Sequence, residues 1–165
     1  MDRFERIPVD ARWKIASRQA SAVPVAYHRA FMESYGDQYY NEIERRVWAA
    51  QGREANVIAT AFRMPTGNAS EVAEALTVAS RMLFGPEMSG EISEVSPDRA
   101  ILVMDECPLV NRAKEMEADP LAACNACHAF CHAAVESLNE NFGIHYTQGM
   151  CAGNPLCEMI IQRRE

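Results

Sequence analysis

A single short segment of this chain, 124–132, carries three thiols and two imidazoles. These side chains belong to Cys124, Cys127, His128, Cys131 and His132. On a helix the three cysteines, at spacing i, i+3 and i+7, share one face, and each histidine lies one turn after an earlier member of the set. Soft sulfur and borderline nitrogen ligands that converge in this way suit zinc, iron or an iron–sulfur cluster. Thiols that ionise also suit nucleophilic or redox chemistry.

The spacing predicts a metal site on this helix, occupied by zinc or an iron–sulfur cluster. The predicted ligands are Cys124, Cys127, Cys131, His128 and His132. A helical Cys-x2-Cys-x3-Cys pattern lacks the paired knuckles of a zinc ribbon, so a further ligand from elsewhere is expected. Cys107, at the end of a predicted strand, and Cys157, in a predicted hairpin, are the candidates.

Two other interpretations of the same segment stay open. Residues 124–128 have the Cys-x2-Cys-His pattern of c-type haem attachment, although covalent attachment normally needs export and the chain shows no secretory signal. The thiols also share an apolar stripe with Leu121, Val135 and Leu138, and free cysteine is among the most buried residue types. They therefore also fit a role as small core residues.

Size and composition predict one ordinary globular domain. The chain has 165 residues, of which 48% are hydrophobic and 24% charged. A net charge of −7 argues against a nucleic-acid partner and against an anionic membrane surface. No apolar run is long enough for a transmembrane helix. The expected compartment is the cytoplasm, where all six cysteines would be reduced unless they bind a metal or cycle in catalysis.

Helical periodicity dominates the first half of the chain. From Val25 to Gly52 apolar residues recur every four positions, and 53–64 continues as another helical piece. His28 lies near the start of this pattern, where Glu33 and Asp37 are the acids nearest to it in sequence. We interpret His28 as a surface or hydrogen-bonded histidine, with these acids as its candidate partners in acid–base chemistry.

Local capping signals define two further helices. Asn68 or Ser70 caps a helix that ends at Gly85-Pro86. Asp119-Pro120 opens the cysteine-bearing helix, and Gly143 ends it. A short helix is expected over 109–118.

Two β-hairpins complete the predicted fold. Residues 91–95 pair with 100–106 across Ser96-Pro97-Asp98, and 144–150 pair with 156–163. The expected architecture is α+β, with an antiparallel sheet of about four strands packed against several helices. Residues 1–24 form an N-terminal extension to the domain over 25–165 and are a candidate arm for a homodimer.

The C-terminal half resembles the L-2-amino-thiazoline-4-carboxylic acid hydrolase-like family, which is related in outline to vinyl-reductase-type small-molecule-binding domains. Three motifs carry the resemblance: Glu106-Cys107-Pro108 after a strand, the helix with Cys124–Cys131, and the hairpin segment 153–160. Together they cover roughly residues 90–163. This chain departs from the family pattern, because its helix carries extra cysteines and histidines where the family has a cysteine followed by an aspartate.

The resemblance implies an enzyme that opens a C–N bond in a small cyclic substrate of the thiazoline-carboxylate type. The expected catalytic residues are Cys107, His128 and Cys157, acting through a zinc-activated water or through a thiolate with His128 as base. One alternative is a redox or ligand-sensing domain that binds an iron–sulfur cluster or haem and does not hydrolyse. Another is a small-molecule-binding scaffold with a cysteine-rich core.

Overall fold

The computed structural model describes residues 4–35 and 40–165. Within those ranges it contains five α-helices and one four-stranded antiparallel sheet, which confirms the predicted α+β fold. The helices are α1 (Val9–Tyr35), α2 (Tyr40–Ala61), α3 (Ala69–Phe84), α4 (Pro108–Glu115) and α5 (Pro120–Leu138). The strands are β1 (Ser89–Ser96), β2 (Arg99–Glu106), β3 (Phe142–Gln148) and β4 (Cys157–Arg163). Two short 3-10 helices cover Phe4–Arg6 and Met150–Ala152.

The sheet has strand order β1-β2-β4-β3, and every neighbouring pair is antiparallel. Each outer pair is one of the two predicted hairpins, and β2 and β4 join them at the centre. Successive side chains of a strand point to opposite faces, and the buried side chains of β2 alternate along the strand as Ala100, Leu102 and Met104. Met104 lies opposite Cys157 of β4, which is also buried. Cys157 therefore faces the helices.

Helix α5 packs along α2, and Gly52 permits their close approach. A Cβ atom at Gly52 would overlap the carbonyl oxygen of Phe130 and would lie 3.1 Å from the Cβ atom of Ala133. The buried ring of Phe130 contacts Trp48 and Phe84, with centroid distances of 6.5 and 5.1 Å. The position of α5 is thus set by α2 on one side and by the aromatic core on another.

The N-terminal helices differ in detail from the prediction. Helix α1 begins at Val9 and continues through Pro24, so the boundary expected at residue 24 lies within a helix. Proline has no N–H to donate, but only one helical hydrogen bond is lost by its presence. Helix α2 runs to Ala61 and includes most of the segment that was expected as a separate piece. Gly36, Asp37 and Tyr39 lie outside the described residues.

The start of α1 exposes several large apolar side chains. Val9 is 68% exposed, Ile15 62% and Trp13 37%. Such a surface is compatible with an arm that packs on a second subunit, and the homodimer stays a prediction. None of the described helices is long and apolar enough to cross a bilayer.

Candidate functional site

Four free cysteines and one tyrosine converge beside α5, and we call this group the thiol cluster. Its members are Cys107, Cys127, Cys131, Cys157 and Tyr146. Secondary structure explains the convergence: Cys127 and Cys131 lie one turn apart on α5, whereas Cys107 follows β2 and caps α4. Cys157 begins β4, the neighbour of the strand that carries Tyr146. Five residues that are distant in sequence thus share one site.

The centre of the thiol cluster is a chain of three polar atoms. The Sγ atom of Cys127 lies 3.9 Å from Sγ of Cys131 and 3.6 Å from the hydroxyl oxygen of Tyr146. Spacing i, i+4 on a helix brings the two sulfurs together, and the β3 register supplies the tyrosine. Cys131 is buried, whereas Cys127 and Tyr146 are half-buried.

The two central thiols have opposite pKa shifts. The pKa of Cys131 is lowered, because hydrogen bonds from Cys127 and Tyr146 outweigh the cost of burial. The pKa of Cys127 is raised well above its ordinary value by its hydrogen bond with Cys131 and by desolvation. Desolvation and the two sulfurs also raise the pKa of Tyr146. The two thiols titrate as a unit.

Cys107 and Cys157, two of the predicted catalytic residues, border this pair and retain their protons. Burial, aided by Cys127, raises the pKa of Cys107 to about 12, although the backbone N–H groups of Val110 and Leu109 act in the opposite direction. Burial also raises the pKa of Cys157, whose sulfur accepts a hydrogen bond from the Met150 N–H at 3.2 Å. Both therefore sit in the thiol cluster as neutral thiols.

A disulfide bond joins Cys124 to Cys151, with a Cα–Cα distance of 5.6 Å. The expectation that all six cysteines are reduced is therefore wrong for this structure. The bond ties the 3-10 helix after β3 to the N-terminal half of α5. The sequence carries no local signal for this bond, since its partners are 27 residues apart.

The disulfide also removes Cys124 from the predicted metal-ligand set. Among residues 4–35 and 40–165, no three histidine, cysteine, aspartate or glutamate side chains are arranged to hold a metal ion. The predicted set of five ligands, Cys124 together with Cys127, Cys131, His128 and His132, is thus not assembled. The haem-attachment pattern has lost one of its two thiols. The residues present do not fit a zinc ion, cluster or haem in this arrangement, and metal binding stays a prediction.

The two histidines flank Tyr146 on its other side. The ring of His128 stacks on that of Tyr146 at a centroid distance of 3.9 Å, and His132 is exposed with its ring 6.4 Å away. Burial lowers the pKa of both histidines, aided by His132 for the first and by Arg164 for the second. Both imidazoles are therefore neutral near neutral pH and able to accept a proton.

A second polar pair was missed from the sequence. His28 is buried, and its Nδ1 atom lies 3.3 Å from Oε2 of Glu44 on α2. The expected partners differ: Glu33 pairs with Arg29 at 2.9 Å, and Asp37 lies outside the described residues. Burial raises the pKa of Glu44 despite the opposing effect of His28. Helix periodicity gives no signal for a contact between two different helices.

A protein-family model described as L-2-amino-thiazoline-4-carboxylic acid hydrolase matches residues 16–161. The chain belongs to this family. The match covers the thiol cluster, the disulfide and the His28–Glu44 pair, and it confirms the resemblance predicted from the C-terminal motifs. No curated protein sequence matches the chain.

Two solved structures are similar to the fold of this family member. A trafficking protein particle complex subunit 3 from Naegleria fowleri, covalently bound to palmitic acid, superposes with a TM-score of 0.65 at 17% identity, covering 92% of this chain and 97% of that one. The phenol-responsive sensory domain of the transcription activator PoxR, solved with phenol, gives 0.61 at 10% identity, covering 87% and 74%. At such identities the likeness shows the fold alone.

Proposed function

We propose that this chain is a thiol-dependent hydrolase that opens a C–N bond in a small cyclic amidine, such as a thiazoline carboxylate. Membership of the hydrolase family supports the reaction class. The observation that carries the proposal is the Cys127–Cys131–Tyr146 arrangement, because it leaves one thiol of lowered pKa beside two groups that retain their protons. A thiolate is the nucleophilic form of cysteine.

The proposed first step is addition of the Cys131 thiolate to the amidine carbon of the ring. The ring C–N bond then breaks, and the nitrogen leaves as an amine with a proton from Tyr146, which the raised pKa keeps protonated until it is needed. Water attacks the carbon attached to sulfur, neutral His128 accepts its proton, and the C–S bond to Cys131 then breaks, which releases the product and the Cys131 thiolate. The proton on His128 returns to the Tyr146 phenolate, which stacks on it, and both groups regain their starting state.

Cys107 and Cys157 have a supporting role in this scheme. Their raised pKa values keep them protonated, so they do not compete with Cys131 as thiolates. The backbone N–H groups of Leu109 and Val110 act on the Cys107 sulfur itself. No step is assigned to a metal.

The direct test is turnover of 2-amino-thiazoline-4-carboxylate by the purified full chain, followed as release of the ring-opened product. Tyr146→Phe should lower kcat by roughly 100-fold or more, the usual contribution of a general acid. Tyr35→Phe is the matched control, since Tyr35 is 83% exposed. Absence of turnover with four titratable free thiols present would refute the hydrolase.

A ligand-binding domain without hydrolysis is the second candidate function. Two structures with this fold were solved with palmitic acid or phenol, so the fold accommodates small apolar ligands in other proteins. The two candidates separate in one experiment: a hydrolase consumes the thiazoline, whereas a binding domain returns its ligand unchanged.

A further inference from the structure

An apolar cavity of about 460 Å³ opens between α1, α2 and α3, away from the thiol cluster. Its volume is typical of small-molecule sites, which span roughly 300–1,000 Å³. Phe130 of α5 forms part of its wall, while the next residue along the helix, Cys131, belongs to the thiol cluster. None of the described residues that line the cavity is a cysteine. The cavity is therefore a separate site.

The walls of the cavity are mainly aromatic. Trp48 and Phe84 meet at a centroid distance of 5.7 Å, and Phe84 meets Phe130 edge-on at 5.1 Å. On the opposite side Phe31 lies 4.9 Å from Tyr40. Because Trp48, Phe84 and Phe130 belong to the core, that wall is held in place, and a flat apolar molecule would gain contact with it at little cost in ordering.

The polar lining of the cavity includes one buried carboxylate, Glu44, beside the side chains of Gln51, Tyr27 and Tyr40. Glu44 lines it and is only 6% exposed, and its carboxylate accepts from Trp48 and lies beside His28. A carboxylate has about four acceptor positions, so capacity remains for a ligand donor.

Charge narrows the class of ligand further. A buried carboxylate and a net charge of −7 oppose binding of an anion. Full desolvation of a cation among aromatic and aliphatic side chains is costly, and Glu44 already has His28 as its partner. An uncharged molecule that donates one hydrogen bond to Glu44 meets neither penalty.

We propose that this cavity binds a small, flat, uncharged apolar molecule that donates a hydrogen bond from an N–H or O–H group to Glu44. The proposal does not depend on turnover at the thiol cluster, and it locates the site that the second candidate function requires. A second copy of the chain is the competing occupant, since the rim residues Tyr27, Ile43 and Val47 are 63%, 55% and 56% exposed. Glu44 favours the small molecule, because it is only 6% exposed and lies below the surface that a subunit would cover.

Two probes of nearly equal shape test the proposal. Indole donates an N–H, whereas indene has the same fused rings without a donor. Titration of the ¹⁵N-labelled full chain should shift the indole N–H signal of Trp48 and leave that of Trp13, which lies outside the cavity, unchanged. Indole should bind roughly 10-fold or more tightly than indene, the effect of one hydrogen bond to a charged acceptor.

Two pairs of variants locate the site. Val47→Trp should fill the cavity and abolish binding of both probes, whereas Val57→Trp, on the same helix with 60% exposure but outside the lining, should leave binding unchanged. Glu44→Gln should lower the affinity for indole and leave that for indene as it is. In each variant the Trp13 signal reports whether the fold is retained.

Three results would overturn the proposal. One is equal affinity for indole and indene, which would exclude a donor to Glu44. Another is a shift of Trp13 in place of Trp48, which would put the probes on the N-terminal helix. The third is that neither probe binds and that Val47→Trp converts a dimer to a monomer, as measured by sedimentation. That result would make the cavity a subunit interface. Thiazoline turnover by the same samples reports separately on the hydrolase.

Discussion

Helix α5 separates two regions of contrasting chemistry. One side carries the thiol cluster, in which sulfur atoms and a phenol lie within hydrogen-bond reach of each other. The other side contributes Phe130 to an aromatic cavity whose floor holds one buried carboxylate. Consecutive helix residues point about 100° apart, so Phe130 and Cys131 serve different regions. One helix can therefore support both a reactive site and an apolar binding site.

The largest expected effect is on turnover alone. Cys131→Ser should reduce thiazoline turnover by more than about 100-fold, because the proposed nucleophile is replaced by a hydroxyl that hardly ionises. Indole binding should stay within about twofold, since the cavity lies on a different face of the helix. Turnover and indole binding are assayed on one sample. If the substitution impairs both equally, the two regions are not independent.

The disulfide should stabilise the thiol-cluster side preferentially. Removing it in the double variant Cys124→Ser, Cys151→Ser should cost about 3–4 kcal/mol of unfolding free energy, as expected for a closed loop of 27 residues. Urea denaturation of the oxidised wild type and the variant measures this difference. The variant should be indifferent to reductant, which serves as the internal control. Titration of six free thiols in the unreduced, denatured wild type would contradict the disulfide.

Both regions should suffer together when the α2–α5 contact is disturbed. Gly52→Ala places a methyl group against the Phe130 carbonyl and should destabilise the fold by about 1–3 kcal/mol. Thermal unfolding should then begin roughly 2–4 °C lower per kcal/mol lost. Gly153→Ala is a poor control because its φ of 93° disfavours any side chain, whereas Gly149→Ala, with its nearest neighbours at 3.7 Å or beyond, is a suitable one. Equal stability of Gly52→Ala and wild type would show that the helices adjust freely.

The smallest expected effect is a difference in alkylation between the thiols. Because the pKa of Cys131 is lowered and that of Cys107 is raised to about 12, the thiolate of Cys131 should form at lower pH. Iodoacetamide labelling at increasing pH, followed by peptide mass spectrometry, should therefore modify Cys131 at a lower pH than Cys107. Labelling in mild urea corrects for the difference in exposure between the two thiols. Labelling of Cys107 first would reverse the assignment of the thiolate and weaken the proposed nucleophile.

Local sequence signals predicted where most elements begin, but α5 ends at Leu138 and not at Gly143, which lies in β3. Asn68 accepts a hydrogen bond from the Glu71 N–H at 2.9 Å, as its capping role requires. Asp119 accepts from the Leu121 N–H at the start of α5, also at 2.9 Å. Both hairpins form where alternation and turn residues placed them. Each of these features depends on residues within a few positions of one another, so a single sequence contains the needed information.

The grouping of the chemical side chains depended on the tertiary structure. The cysteine-rich segment indicated a metal or thiol site, which stays a prediction, and the sequence did not reveal that Cys124 pairs with Cys151 or that Tyr146 approaches Cys127. The same holds for His28 and Glu44, which meet across two helices. Periodicity specifies the face on which a side chain lies, whereas its partner depends on how helices and sheet pack. The sequence by itself determined the α+β elements and the family, and only packing decided which thiol could ionise and where a cavity opened.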